Sequence, residues 1–307
     1  MPTLITKIDK LPTLKTGDKI AFYASGSSYP PEERVKKACD YISKKCDLKA
    51  IYWEDCFTRL PAKRRAEIFL QALFNEEFKA LWAFRGGEGT GDIIPLIDVH
   101  RKEIAKLTPK LLIGFSDITV LLLYFSQIFN WPVVHGSGVP QMVEERINDM
   151  TINVTLDLVM GRLNEIKITD LKVLNSLAKI SKKIKGELTG GNLSLLHCGT
   201  KEVWELDAKN KIIIIEDVNE RPHVVHRTLN HLQRISLFKD AKAIIFGNFD
   251  TKPIGETIKE QQKNKIRLEN VLQEFAEACE IPVFFTSQIG HGQLNIPIVY
   301  KKESFLI

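Results

Sequence analysis

The sequence of 307 residues is short of most features that would announce a function. It holds only five cysteines, Cys39, Cys46, Cys56, Cys198 and Cys279, an odd number spread along the chain without a Cys-x-x-Cys pair. That spacing argues against a disulfide framework or a zinc site and for free thiols in a reducing compartment. No apolar run approaches ~18 residues, so no membrane span is expected. Met1 to Lys19 is polar and lacks the apolar core of a signal peptide, which makes a cytoplasmic location the expectation. Charge of one sign is nowhere concentrated. The 43 Lys and Arg are interleaved with 38 Asp and Glu, and the net charge of +5 forms no basic face with interleaved aromatics. Nucleic acid is therefore not an expected partner. Internal repeats and low-complexity segments are absent as well.

What remains is an ordinary globular composition, 44% hydrophobic and 26% charged, over a length that suits two domains better than one core. Lys19–Ala24, Ala50–Trp53, Leu81–Phe84, Leu111–Ile113 and Trp131–Gly136 read as strands. They alternate with helical patterns at Glu32–Lys45, at Ala62–Phe74 (mixed charge on its outer face) and at Val120–Phe125. The small residues of Ser25–Pro31 form a turn after the first strand. This alternation predicts a mostly parallel α/β sheet, with sites in the loops at the carboxyl ends of its strands. It stops near Met150. Met150–Met160 suits one more helix, and the lysine-rich stretch that follows, with Lys182, Lys183 and Lys185, reads as a solvated interdomain connection. Gly186–Leu193 reads as a turn feeding an apolar helix. After it come the isoleucine strand Ile212–Ile215 ending in Glu216 and Asp217, a helix over Arg227–Leu237 and the strand Ala243–Gly247. A helix over Ile266–Cys279 and the strand Ile281–Phe285, which runs into Gly290-His291-Gly292, complete the second half.

The stretch Leu111 to Thr119 carries the most chemistry. A buried strand end and an apolar helix flank Gly114 and Ser116, where the chain must turn sharply. A serine there projects its hydroxyl beside the first amides of a helix, whose positive end favours the negative charge of acyl transfer. The pattern is that of a Gly-x-Ser-x-Gly elbow with Ile118 in place of the second glycine. Taken alone, the stretch is equally a serine capping a helix. The glycine run Gly86–Gly91 lacks the Lys-Ser/Thr ending of a phosphate loop and the Gly-x-Gly-x-x-Gly spacing, so a nucleotide cradle is disfavoured. Its exposed amides could instead serve as oxyanion donors. Glu216, directly after four isoleucines, needs a partner or water, and capping is the plain alternative for it or Asp217. His291 sits in a loop between two glycines. Ser116, Glu216 and His291 together supply the residue types of a nucleophile, an orienter and a base.

Several motifs occur in one order: Gly17-Asp18-Lys19-Ile20, Arg85-Gly86-Gly87-x-Gly89, Gly114 to Thr119, His135-Gly136, Gly190-Gly191-Asn192-Leu193, Glu216-Asp217 and Gly290-His291. Together they resemble the LD-carboxypeptidase family of serine peptidases, which also contains the microcin C immunity peptidases. The resemblance implies a Ser-His-Glu triad of Ser116, His291 and Glu216. It also implies an oxyanion hole from the amides of Asp117 and of Gly86 or Gly87. It implies a serine carboxypeptidase that removes terminal D-alanine from murein tetrapeptides, at the bond to an L-centre, for cell-wall recycling. No metal or organic cofactor is needed, and the family suggests a homodimer. Two positions depart from the family pattern: Glu88 replaces an aromatic in the glycine turn, and Gly136-Ser137-Gly138 lacks a proline. Arg85 and Glu88 are the expected substrate contacts. The alternatives are an immunity-type peptidase cleaving a peptidyl-nucleotide amide and a non-catalytic binder of peptidoglycan fragments. The expected architecture is α/β in two domains. Residues 1–165 would form a mostly parallel sheet flanked by helices, glutamine amidotransferase-like (class I) or Rossmann-like, residues 166–185 a linker, and residues 186–307 an α/β domain with a smaller sheet.

Overall fold

The computed structural model describes residues 1–26, 30–181, 183–250 and 257–307. Ser27 to Tyr29 of the expected turn, and Lys182 of the lysine-rich stretch, lie outside the described residues. Along the chain the strands are β1 (Leu4–Lys7), β2 (Lys19–Tyr23), β3 (Lys49–Ile51), β4 (Phe78–Ala83), β5 (Leu111–Gly114), β6 (Val133–His135) and β7 (Glu165–Ile168). They continue as β8 (Lys172–Val173), β9 (Ile184–Asn192), β10 (Lys211–Val218), β11 (Ala243–Asp250), β12 (Val283–Gly290), β13 (Ile298–Val299) and β14 (Glu303–Leu306). The fold is α/β in two compact units, one of residues 8–164 and 297–301, the other of residues 1–7, 165–296 and 302–307. Among the described residues no helix is long and apolar enough to cross a membrane.

The unit carrying Ser116 has a six-stranded sheet in the order β13-β6-β5-β4-β2-β3, parallel except at β13. Its central strands read as continuous apolar runs because both faces are covered. Ile20, Ala21, Trp82, Leu111 and Ile113 are fully buried. Helix α1 (Thr119–Ile128) is apolar all round and buried from Thr119 to Ser126, which is why it has no polar face. The close approach of α1 to β5 is made at Gly114. A Cβ there would lie 2.6 Å from Ile118 Cγ2 and 2.9 Å from Ile118 Cβ. One glycine therefore suffices, and Ile118 occupies the space that it leaves. Gly114→Ala is expected to cost about 1–3 kcal/mol by overpacking. Adding Ile118→Ala should return part of that loss, so a double-mutant cycle by urea denaturation must come out non-additive. Strict additivity would contradict the packing argument.

The other unit has an eight-stranded sheet in the order β7-β1-β14-β9-β10-β11-β12-β8. Its centre, β9 to β12, is parallel, and its outer pairs are antiparallel. Ile212 to Ile215 of β10 lie at its heart, each at most 1% exposed. This sheet is larger than the first, not smaller as expected from sequence. Residues 1–7, assigned by sequence to the first domain, pair with β7 and β14 here. The stretch 166–185, expected as a linker, carries β7, β8 and a short helix over Ser176–Ile180 inside this unit. Of its exposed lysines, Lys167 and Lys172 lie on the edge strands β7 and β8, Lys179 on the short helix and Lys185 in β9. Asn175 ties the stretch down, donating to the carbonyls of Ala276 and Ile281 at 3.0 and 2.8 Å. Gly186–Asn192, expected as a turn, belongs to β9, with φ of +124° at Gly190 and +126° at Gly191.

The five cysteines carry free thiols. Burial pushes the Cys39 and Cys56 thiols up to about 11 and that of Cys279 up to about 12, which keeps them protonated and inert.

Candidate active site

Ser116 stands where β5 ends, at the start of a 3-10 turn (Ser116–Ile118) that leads into α1. Its φ is +62°, a left-handed conformation that costs a residue with a Cβ roughly 1–2 kcal/mol. The positions that cap the turn and α1 are Phe115 and Ile118, neither through a side chain, so helix capping does not account for the serine. Gly86, in the turn after β4, lies against it. A Cβ at Gly86 would sit 3.0 Å from Ser116 Cβ, 3.2 Å from its Oγ and 3.4 Å from the Asp117 amide nitrogen. The missing side chain thus lets the glycine turn approach both the hydroxyl and the amide expected to donate to an oxyanion more closely than a Cβ would comfortably allow. Gly87 and Gly89 follow with φ of +128° and +90°, backbone that only glycine adopts at little cost.

The glycine turn is held by buried polar groups that sequence reasoning missed. Asp117 Oδ2 accepts from the Thr90 amide at 3.0 Å and the Thr90 hydroxyl at 2.5 Å. Thr90 has spent its proton on Asp117, so the Ser25 hydroxyl, 2.8 Å away, must donate to Thr90. Arg65 donates from Nη1 to the Ser25 carbonyl and, at 2.8 Å, to the Gly89 carbonyl. Burial raises the Asp117 pKa, while the Thr90 donors and the Arg65 charge pull it back. Asp117 thus has two parts to play, an amide beside Ser116 and a carboxylate that ties the elbow to the glycine turn. Arg65 sits on a helix (Ala62–Phe74) whose charges were expected to face outward, yet it is buried with Ala66, Ile68, Phe69, Ala72 and Leu73. Its place at helical spacing from Ile68, Phe69 and Ala72 was the available signal.

Glu88 is exposed, whereas Arg85 is half-buried. Burial lowers the Arg85 pKa from its ordinary value, and the charges of Arg34 and Arg146 lower it further against Glu144. His135 and the Gly136–Gly138 loop are buried. His135 is stacked on Tyr300 with ring centres 6.5 Å apart, and a Cβ at Gly138 would lie 3.0 Å from the Ala83 carbonyl oxygen. That close backbone approach fixes the loop without a proline.

In the eight-stranded unit, His291 Nδ1 lies 2.5 Å from Glu216 Oε2. Glu216 is fully buried at a register shift between β10 and β11, a bulge that aims its side chain. Two glycines make room for it. A Cβ at Gly247 or Gly290 would stand 3.1 or 2.9 Å from Glu216 Cβ, and Gly290 has φ of +102°. Asn295 Oδ1 accepts from the Gly290 amide at 3.0 Å and so holds the loop before His291. Gly247 was read from sequence only as a strand end.

Asp217 faces different partners. It accepts from the Ser194 amide and hydroxyl at 3.0 and 2.8 Å, from Asn192 Nδ2 at 2.8 Å and from the Val218 amide at 2.8 Å. It anchors the start of the helix Leu193–Cys198 and makes no bond to His291. Burial first, then the Glu216 charge, pushes its pKa up to about 6. A carboxyl whose folded pKa exceeds its unfolded value stabilises when protonated, and that contribution is lost as pH rises from about 4 to 6. Replacing it with Asn removes the titration. The melting temperature of Asp217→Asn relative to the natural chain should therefore shift in the variant's favour between pH 4 and 7. A constant offset across that range would contradict this assignment.

Among the described residues no group of three or more His, Cys, Asp or Glu side chains is placed to hold a metal ion. The structure thus brings Ser116, Asp117 and Gly86 together in one unit, and Glu216 and His291 together in the other.

Residues 20–136 match the LD-carboxypeptidase N-terminal domain, and residues 185–305 match the LD-carboxypeptidase C-terminal domain. A protein of Rickettsia conorii is 35% identical over 240 residues, 77% of this chain and 70% of its own length. The murein tetrapeptide carboxypeptidase of Pseudomonas aeruginosa is 30% identical over 254 residues, 80% of this chain and 77% of that enzyme. The crystal structure of an MccF-like protein from Bacillus anthracis superposes with a TM-score of 0.77 at 17% identity, covering 97% of this chain and 99% of that one.

Proposed function

This chain belongs to the LD-carboxypeptidase family, a family of peptidases, and within it we propose a serine carboxypeptidase that releases terminal D-alanine from murein tetrapeptides. The observation that carries this reading is the 2.5 Å contact between Glu216 and His291 Nδ1. A carboxylate accepting from Nδ1–H leaves Nε2 unprotonated, the tautomer a general base needs. In this mechanism His291 takes the Ser116 proton as Oγ attacks the carbonyl of the bond to D-alanine. Glu216 stabilises the imidazolium that results. The oxyanion of the tetrahedral intermediate is met by the Asp117 amide and an amide of the Gly86–Gly87 turn. His291 then returns the proton to the departing D-alanine amine. Water, activated by the same imidazole, hydrolyses the acyl-enzyme and restores the Ser116 hydroxyl.

Three observations support Ser116 as the nucleophile. Its φ of +62° is strain without a capping return, the bare backbone of Gly86 comes close to its hydroxyl, and buried Asp117 and Arg65 brace the turn beside it. The proposal includes murein recycling in the cytoplasm and a homodimeric state, the latter to be checked by sedimentation equilibrium. The functional test is incubation of purified protein with murein tetrapeptide and, in parallel, with a peptidyl-nucleotide amide. Release of D-alanine from the first with no cleavage of the second is the expected result. The reverse would transfer the site to the immunity-type reaction. Binding of either with cleavage of neither would favour the non-catalytic binder.

A further inference from the structure

The glycine turn beside Ser116 begins with Arg85, and the charge around that residue is out of balance. Helix α1 is preceded in the chain by the longer helix Glu32–Cys46, which carries Arg34. Arg34 grips Glu144 with its guanidinium, Nη2 to Oε2 at 2.7 Å and a second contact through Nε. Arg146 Nε reaches the same Oε2 at 2.8 Å. One carboxylate therefore serves two guanidiniums, and its charge also bears on a third, that of Arg85. Among the described residues Arg85 has no hydrogen-bond or ion-pair partner of its own. A half-buried guanidinium with five donors, facing two like charges, is costly unless an anion completes it.

We propose that Arg85, backed by Arg34 and Arg146, is a carboxylate-binding subsite that receives the free terminal carboxylate of the peptide substrate and so makes the enzyme an exopeptidase. The inference rests on the carboxypeptidase reading and adds to it the group that recognises the chain end. Spacing favours it. In such a substrate the terminal carboxylate lies one residue, ~3.8 Å, beyond the carbonyl under attack. Arg85 is likewise one residue along the chain from Gly86, where a Cβ would lie 3.2 Å from Ser116 Oγ. The planar guanidinium matches a carboxylate with two parallel bonds, which a lysine cannot reproduce. The carboxylates on substrate side chains share this chemistry, and the test separates them from the terminus.

Titration calorimetry on Ser116→Ala protein would compare murein tetrapeptide with its C-terminal amide. The free acid should bind roughly 10- to 100-fold more tightly, as expected for charge-assisted hydrogen bonds. In Ser116→Ala/Arg85→Gln that preference should collapse to near unity through loss of affinity for the acid alone. Arg85→Lys should keep part of it, because charge remains while the fork is lost. Removing a guanidinium from among like charges should not lower the melting temperature, so Arg85→Gln is expected to fold. Should it fail to fold, the comparison passes to Arg85→Lys, in which an undiminished preference counts against the subsite. Equal affinity for acid and amide, no binding of either, or a preference that survives Arg85→Gln would each overturn the proposal. Turnover of tetrapeptide by the natural chain is measured separately, so failure of the subsite and failure of the peptidase reading are told apart.

Discussion

A Ser116→Ala protein is expected to melt close to the natural chain and to lose turnover by roughly four to six orders of magnitude. Both halves follow from the geometry. Neither the 3-10 turn nor α1 is capped by the serine side chain, so the variant gives up no cap of the kind worth about 1 kcal/mol. Alanine adopts φ of +62° at much the same cost as serine, so the strain stays. What is lost is the nucleophile, and only the oxyanion donors and substrate binding would remain to act on water. Ser116→Gly sharpens the contrast. Glycine relieves the left-handed strain, so this variant should melt no lower than the natural chain while being equally inactive. A serine variant that melts early but still cleaves would mean that the hydroxyl had a structural role after all.

The second large effect is expected at Glu216. Glu216→Gln keeps the shape of the side chain but replaces an acceptor with an amide that can donate toward His291 Nδ1. The imidazole would then carry its proton on Nε2 and could not take one from serine. An equivalent loss of tautomer control in a known serine protease costs about 10⁴ in turnover, and a drop of that order is expected here. Asp217→Asn is the matched control, because the two carboxylates are adjacent and both buried. Asp217 serves Ser194, Asn192 and the Val218 amide, so its replacement should lower stability and leave turnover within roughly tenfold. A larger loss of turnover from Asp217→Asn than from Glu216→Gln, measured under the same conditions, would exchange their roles.

How much of this could be read beforehand depended on how local the cause was. The strand at Ile212–Ile215 announces itself through four β-branched residues, and the elbow through an apolar strand end, two small residues and an apolar helix. The place of Leu4–Lys7 does not, because its partners lie at Glu303–Leu306 and Glu165–Ile168, and pairing over so long a separation leaves no local pattern. The same reason hides β7 and β8, short edge strands of four and two residues within a polar stretch that looks like a solvated connection. Gly190 and Gly191 mislead in the opposite sense, since glycines that suggest a turn here lie within β9, where a Cβ at Gly190 would collide with the Ile214 backbone. Ser116, Glu216 and His291 stand out because each comes directly after the apolar run or the end of a strand. Arg65, Thr90 and Gly247 do not. Their work is to brace or make room for another residue, which becomes visible only when the contacts are drawn.

The measurement that bears most directly on the central claim is the release of free D-alanine from murein tetrapeptide, followed over time with the natural chain and with Ser116→Ala at equal concentration. The account predicts steady release by the natural chain and none above the uncatalysed background on the same timescale for the variant, with both proteins folded. Equal release by the two folded proteins would contradict the assignment of Ser116 as the nucleophile.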